Sequence, residues 1–303
     1  MKIPEVTYVF CPICDRYISR ALYTLWKYSE PGSFRVIVID QCKDGFSPEV
    51  MKYVKPLIHL YMHPIRNLGF AKAMNEGIIH GLHWKTPYIC IANDDIEIMN
   101  KRWLQGVWDT FAMDPQRIMG VVPMCPRVAG WGYGVDYNPE VLPYKEEYTE
   151  EDYDFLLSGD FSKVTAKLPD TYPRMGIRGT VVDGAAFIMV YFKRECFEKI
   201  GLLDERFFPG SGEDYDMLAR IYKEDLRLVS TSYSWIWHHW TKSKDLFGSG
   251  YLEDSYYKPK DHPYWVNLGD LWPEGHDVWG HKTDVNGKKI PLKRVDEIFT
   301  DQI

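Results

Sequence analysis

The sequence predicts an α/β protein: an open, mostly parallel sheet with helices on both faces, followed by an irregular, aromatic-rich C-terminal extension. Two observations carry this. The short apolar runs "FRVIVID" (34–40), "PYICIAN" (87–93) and "RIMGVVP" (117–123) are continuous rather than alternating, as strands buried on both faces are. Between them lie segments with a helical apolar rhythm, and strands that alternate with helices build parallel sheets through crossover connections.

Taken in order, residues 6–11 (Val-Thr-Tyr-Val-Phe-Cys) read as the first strand, and 17–28 as a helix through Ile18, Leu22, Leu25 and Trp26. The second strand, 34–40, ends on Asp40. "GFAKAMNEGIIHGL" (69–82) sets small and apolar residues at helical spacing, and strand 87–93 is cut off by Asp94 and Asp95. A helix over 100–112 and the strand at 117–123 complete a βαβαβ series. Residues 124–182 change character, with Gly, Pro, Tyr and the acidic stretch "KEEYTEEDYDF" (145–155), which reads as a solvated loop or helix face. The whole segment reads as an insertion over one edge of the sheet. A strand at 185–191, helices at 193–201 and 213–224, and strands at 226–231 and 233–237 follow. From about 246 the tail is rich in Trp, Tyr, His and Pro, with little periodicity.

Across 303 residues, 45% apolar and 26% charged are the proportions of an ordinary globular protein. The aromatic share of 15% fits either a Trp/Tyr-rich core or flat stacking surfaces for sugars or bases. A net charge of −7 and a pI near 5.7 weigh against nucleic acid held through its phosphates. No apolar run approaches the roughly 20 residues of a membrane span. The N-terminus lacks a signal-peptide layout, and six scattered cysteines suit a reducing cytoplasm. Cys11-Pro12-Ile13-Cys14 has the spacing of half a zinc site or a redox pair. Zinc would need two further ligands, and a redox pair would open a helix; here the motif straddles a strand end, so it reads as the turn leaving strand one.

Three constellations could carry chemistry. Asn93-Asp94-Asp95 ends a buried strand, where open α/β sheets bind ligands, and adjacent acids there suit a hard divalent ion; helix capping by Asp95 or Asn100 is the structural alternative. Gly212-Glu213-Asp214-Tyr215-Asp216 opens a helix, either as favourable N-terminal charge or as a general base. "SWIWHHWTKSK" (234–244) offers His238 and His239 for a metal shell and lysines, Lys242 among them, for a departing diphosphate. Each has a purely structural reading as well.

In order along the chain, these segments resemble family 2 glycosyltransferases, which have the Rossmann-like GT-A fold. "PICDR" (12–16) is similar to that family's turn after strand one, and "VIVID" to its second strand with a nucleoside-binding Asp. "RNLGFAKAMNEGI" (66–78), "ICIANDDIEI" (89–98), "FEKIGLLDERFFPGSGEDYDMLARI" (197–221) and "WIWHHWTKS" resemble its later motifs, so the likeness runs over residues 6–243. It implies a donor half at 1–123, the insertion at 124–182 over the acceptor side, an acceptor and catalytic half at 183–245, and an extension at 246–303. It implies that Pro12, Asp15 and Asp40 line a nucleoside pocket and that Arg66, Lys72 and Asn75 lie near the donor's base or phosphates. Asp94 would contact ribose or sugar, and Asp95 and His238 (or His239) would bind Mn²⁺ or Mg²⁺. Asp214 would be the base, with Glu213 steering the acceptor; Asp183 and Lys242 are further candidates. Two positions depart from the family pattern: Asn93 replaces the usual first acid, and Asp15 replaces an Asn.

The implied activity is metal-dependent, inverting transfer from a UDP-, GDP- or dTDP-sugar to a hydroxyl of a saccharide or lipid-linked saccharide, by a cytoplasmic enzyme without a transmembrane segment. A modified nucleic-acid base is a minor alternative acceptor. A sugar-1-phosphate nucleotidyltransferase would want a Gly-rich loop after strand one, and "CPICDRY" has no Gly. A non-catalytic carbohydrate-binding protein would not need Asp95, Asp214 and His238 together.

Overall fold

The computed structural model describes residues 5–125, 144–158, 181–183, 187–207, 210 and 212–239. Strands β1 (Val6–Phe10), β2 (Phe34–Ile39), β3 (Leu60–Met62) and β4 (Tyr88–Ala92) run parallel, in the spatial order β3-β2-β1-β4. The sheet continues through β8 (Met189–Lys193), β6 (Ile118–Met124), β9 (Arg227–His238) and β5 (Ile96–Ile98), while β7 (Val181–Asp183) also pairs with β9. Six of these strands point the same way; β5, β7 and β8 run against them. The mostly parallel α/β sheet read from the sequence is therefore what forms.

The continuous apolar runs have a direct cause, because both faces are covered. Val6, Tyr8 and Phe10 of β1 join one core with α1 (Ile18–Tyr28) and α4 (Trp103–Met113). Val9 points the other way, into a second core with α3 (Phe70–His83), α6 (Arg194–Ile200) and α7 (Glu213–Lys223). The same division with a period of two recurs in β2 and β4, so neither face of these strands can carry a polar residue cheaply.

The structure revises several expected limits. The strand read at 185–191 lies at 189–193 and enters antiparallel between β4 and β6. The two strands read at 226–231 and 233–237 are one, β9; its ladder with β6 jumps from Pro123↔Thr231 to Met124↔Trp235, an irregularity that leaves residues 232–234 outside the register. Helix α2 (Pro48–Val54), β3 and β5 were not anticipated. The acidic stretch is partly helix α5 (Glu150–Ser158), and it is docked rather than wholly solvated. Tyr153 and Leu156 are buried there, and Asp154 reaches Arg102 at 2.5 Å. Residues 126–143 and 159–180 of the insertion and the tail from 246 lie outside the described residues.

Helix α4 lies directly on β9. A Cβ on Gly106 would meet the Tyr233 carbonyl oxygen at 1.9 Å, and Thr110 Oγ1 bonds Thr231 Oγ1 at 2.7 Å beside it. Helix propensity favours Ala over Gly by about 1 kcal/mol, but forcing a methyl group into a packed backbone contact costs about 1–3 kcal/mol. Gly106→Ala is therefore expected to lower the denaturation midpoint; a raised midpoint would show that this contact is looser than described.

Candidate active site

The carboxyl ends of β1 and β4, the far end of β9 and the start of α7 frame one corner. Strand β4 ends at Ala92, and Asn93 N–H donates to the Ile188 carbonyl at 2.8 Å, which fixes the turn that carries Asp94 and Asp95. Asp95 is buried and its Oδ1 lies 3.1 Å from His238 Nε2. Burial, and next the charge of Asp95, push the Asp94 carboxyl up to about 7. Asp95 does not cap α4: Asn100 Oδ1 accepts the Arg102 N–H at 2.9 Å and leads the chain into that helix. The N-cap position of α4 is Arg102 and it has no side-chain cap, so neither Asp95 nor Asn100 caps the helix.

The adjacent histidines separate. His238 faces Asp95. His239 Nε2 lies 2.7 Å from Glu97 Oε1, its ring stacks on Tyr17 at 5.1 Å, and its N–H donates to the Asp95 carbonyl at 2.9 Å. Buried Glu97 also accepts from Arg20 Nε at 2.8 Å and Tyr144 O–H at 2.9 Å. Burial alone would raise the Glu97 carboxyl, yet the bonds from His239, Arg20 and Tyr144 outweigh it and hold the group below its ordinary range. Sequence reasoning passed over Glu97. Its signal was an acid set between Ile96 and Ile98 in strand alternation, opposite an aromatic strand.

Helix α7 begins after Gly212, whose φ of 105° only glycine adopts readily. Glu213 is buried and Asp214 half-buried, with Oδ1 accepting the Tyr215 N–H at 2.9 Å. Burial lifts the Asp214 carboxyl to about 6, against the pull of the helix's first N–H groups. Burial, then the charges of Asp94 and Glu213, push the Cys11 thiol up, which brings the β1 end, the acidic turn and the α7 start within one electrostatic neighbourhood.

The donor-side candidates divide. The Pro12 carbonyl accepts from Gln41 N–H at 2.8 Å, and Asp15 accepts from Ser47 N–H at 3.1 Å, so the "CPICD" turn braces the loop after β2. Asp40 is fully buried; its carboxylate accepts from Cys42 N–H (2.9 Å), Phe46 N–H (2.8 Å) and Tyr61 O–H (2.5 Å). It shapes that loop from beneath. Over it opens a cleft of about 310 Å³ lined by Gln41, Cys42, Lys43, Pro64, Ile65, Arg66 and Asn67, which puts Arg66 beside Lys43. Lys72 and Asn75 are drawn elsewhere: Lys72 Nζ pairs with Glu205 at 3.0 Å, and the Asn75 amide binds the backbone of Leu203. Asp183 stands opposite Val229 in the β7–β9 ladder, and Lys242 lies outside the described residues.

Among the described residues no three His, Cys, Asp or Glu side chains enclose a metal. Asp95 and His238 instead offer two ligands on one side, with the half-buried Asp94 adding negative charge. That set fits a divalent ion that takes its remaining ligands from water and phosphate oxygens. It does not fit an ion caged wholly by protein.

The parallel-to-mixed sheet, the acidic turn after β4 and the carboxylate at the α7 start define a GT-A fold of the glycosyltransferase type. The family model described as "Glycosyl transferase family 2" matches residues 9–198, more than half the chain, and the chain belongs to that family. A galactofuranosyl glycosyltransferase of Leishmania donovani is 23% identical over 193 residues, covering 59% of this chain and 42% of that protein, so the chain spans less than half of that relative. Among solved structures, GalNAc-T7 with UDP, GalNAc and Mn²⁺ aligns with a TM-score of 0.54 at 15% identity, over 78% of this chain and 44% of the other. A mannosyltransferase of Pyrobaculum calidifontis in complex with GDP-Man and Mn²⁺ gives 0.50 at 15%, over 80% and 59%. S. aureus TarS 1-349 in complex with UDP-GlcNAc gives 0.50 at 16%, over 87% and 65%. No helix among the described residues is long and apolar enough to cross a membrane.

A carboxyl raised in the fold stabilises it only while protonated, so the Asp94 contribution is lost as pH rises from the ordinary carboxylate value towards about 7. Asp94→Asn is expected to raise the melting temperature by a few degrees at pH 8 and by much less at pH 5. Equal shifts at the two pH values, read by differential scanning fluorimetry without divalent ions, would contradict a carboxyl raised by burial and by Asp95.

Proposed function

We propose that this protein transfers a sugar from a nucleoside-diphosphate sugar to an acceptor hydroxyl, with inversion at the anomeric carbon and with Mn²⁺ or Mg²⁺ as cofactor. The observation that supports the reading is the contact of buried Asp95 with His238 beside Asp94, together with a separate carboxyl, Asp214, raised by burial at the start of α7. In this reading Asp95 and His238 hold the ion, and Asp94 faces the ribose or sugar. When bound, the ion neutralises charge building on the departing diphosphate.

The chain's own residues do the rest. Asp214 takes the proton of the acceptor hydroxyl as its oxygen bonds to the anomeric carbon. The bond from that carbon to the diphosphate oxygen breaks, and its electron pair leaves with the nucleoside diphosphate. Attack and departure on opposite faces of the sugar invert the configuration. A carboxyl titrating near 6 is a better base than an ordinary aspartate and is still ionised at neutral pH. Glu213, one residue away, steers the acceptor. The cleft beneath Lys43 and Arg66 takes the base and phosphates of the donor, Asp40 holding its floor. The neighbouring structures with UDP, GDP-Man and UDP-GlcNAc support a UDP-, GDP- or related donor. A saccharide or lipid-linked saccharide is the acceptor class we favour, because the negative balance of the chain disfavours nucleic acid.

The reading is tested with a panel of nucleotide sugars, scored for donor hydrolysis and transfer in Mn²⁺ and in EDTA. One donor is expected to turn over only with the metal; turnover of none, or equal turnover in EDTA, overturns it. With that donor, Asp214→Asn should reduce transfer by about 10²–10⁴-fold, the usual contribution of a general base, while UDP or GDP binding is kept. Because the base acts ionised, the wild-type rate should fall as pH drops below about 6. A flat profile through that region would remove Asp214 from the role.

A further inference from the structure

Segment 200–207 has no helix or strand of its own beyond the last residue of α6, yet it leads into the α7 start that carries Asp214. It is held from two sides. From α3, Asn75 Oδ1 accepts the Leu203 N–H at 3.0 Å, and Nδ2 donates to the Leu203 carbonyl at 2.9 Å and to Glu205 Oε1 at 3.2 Å. Lys72, one turn earlier, pairs with the other oxygen of Glu205 at 3.0 Å. From α7, Arg220 donates to the carbonyls of Ile200 at 2.8 Å and Leu202 at 2.9 Å, while Asp216 holds its Nε at 2.8 Å.

A primary amide presents an acceptor and a donor side by side, so Asn75 can accept from the N–H and donate to the C=O of one residue at once, as a neighbouring strand would. Asn75 is 1% exposed, so its amide has no free face to offer a ligand. The chain of contacts runs from α3 through Asn75 to Leu203, then through Arg220 to α7 and its first turn.

We propose that Asn75 is a positioning residue: by clamping Leu203 to α3 it sets where the start of α7, and with it Asp214, stands, and it does not touch the donor. This rests on the reading of Asp214 as the base. The position of a base decides proton transfer in the transition state, so misplacing it lowers kcat without weakening the nucleotide.

The experiment uses the full chain with Asn75→Asp, which keeps the acceptor for Leu203 N–H but loses both donated bonds. Three quantities are read: kcat for transfer at saturating donor, the Kd for UDP (or the nucleotide of the active donor) with Mn²⁺, and hydrogen–deuterium exchange of peptides covering 200–207 and 212–221. The expected result is a fall in kcat of tenfold or more, a Kd within twofold of wild type, and faster exchange in both peptides. Adding Glu205→Gln removes the new charge repulsion and returns a donor, so part of the lost kcat should come back; this also keeps the test usable if Asn75→Asp alone folds poorly. A Kd weakened tenfold with kcat unchanged would make Asn75 a donor contact and overturn the proposal. Unchanged exchange at 212–221 would overturn it too. That last readout decides the clamp even if the wild-type chain turns over no donor, a result that would instead count against the proposed transfer.

Discussion

Two aspartates at one strand end, half or fully out of water and with the His238 imidazole against one of them, make the constraint around which this molecule is arranged. Burial, and after it the neighbouring like charge, raise the cost of ionising Asp94, as its upward shift records. A fold keeps such an arrangement only where its surroundings hold it rigidly. Here β9 extends for twelve residues to deliver His238 to Asp95, and β5 turns back at once after the acidic turn to pair with it. Buried Glu97 then ties the next histidine, α1 and Tyr144 into one cluster beside that corner. The aspartates thus stand at the carboxyl end of β4, the edge of the sheet where α/β folds bind ligands.

The start of α7 is built by other means. Asp214 follows a glycine with positive φ in the first turn of α7, where its carboxylate accepts the Tyr215 N–H. Its elevated pKa arises chiefly from burial, whereas that of Asp94 arises from burial and a like charge together. Two carboxyls raised for different reasons suit different tasks, as the proposed roles of Asp214 as base and Asp94 on the donor side require.

What could be read from the sequence follows from burial on two faces. β1, β2, β4 and β6 are continuous apolar runs because both cores press on them, and such runs need no alignment to recognise. β3 and β5 have three residues each, too short for a periodic signal. Helix α2 did carry one, since Ser47 caps it ahead of Pro48 and Glu49. The direction of β8 depends on a connection without periodicity, so nothing local could reveal that it enters antiparallel. At the site, Asp95, His238 and Asp214 were legible as chemistry standing at element ends. Lys72 and Asn75 were legible only as polar residues on one helix face; their partners lie some 130 residues further on, a relation that spacing cannot express. "CPIC", which has the look of a metal knuckle, is the turn that braces the loop over Asp40, with thiols pushed up by burial.

The most direct test is to count bound Mn²⁺ by electron paramagnetic resonance, in the presence of UDP or GDP, for the wild-type chain and for Asp95→Asn combined with His238→Ala. If the acidic corner is the ion's seat, the wild type takes up one ion per chain in a nucleotide-dependent manner, and the double substitution weakens that uptake by tenfold or more. Wild-type affinity surviving in the substituted chain, or no uptake by the wild type with either nucleotide, would contradict it.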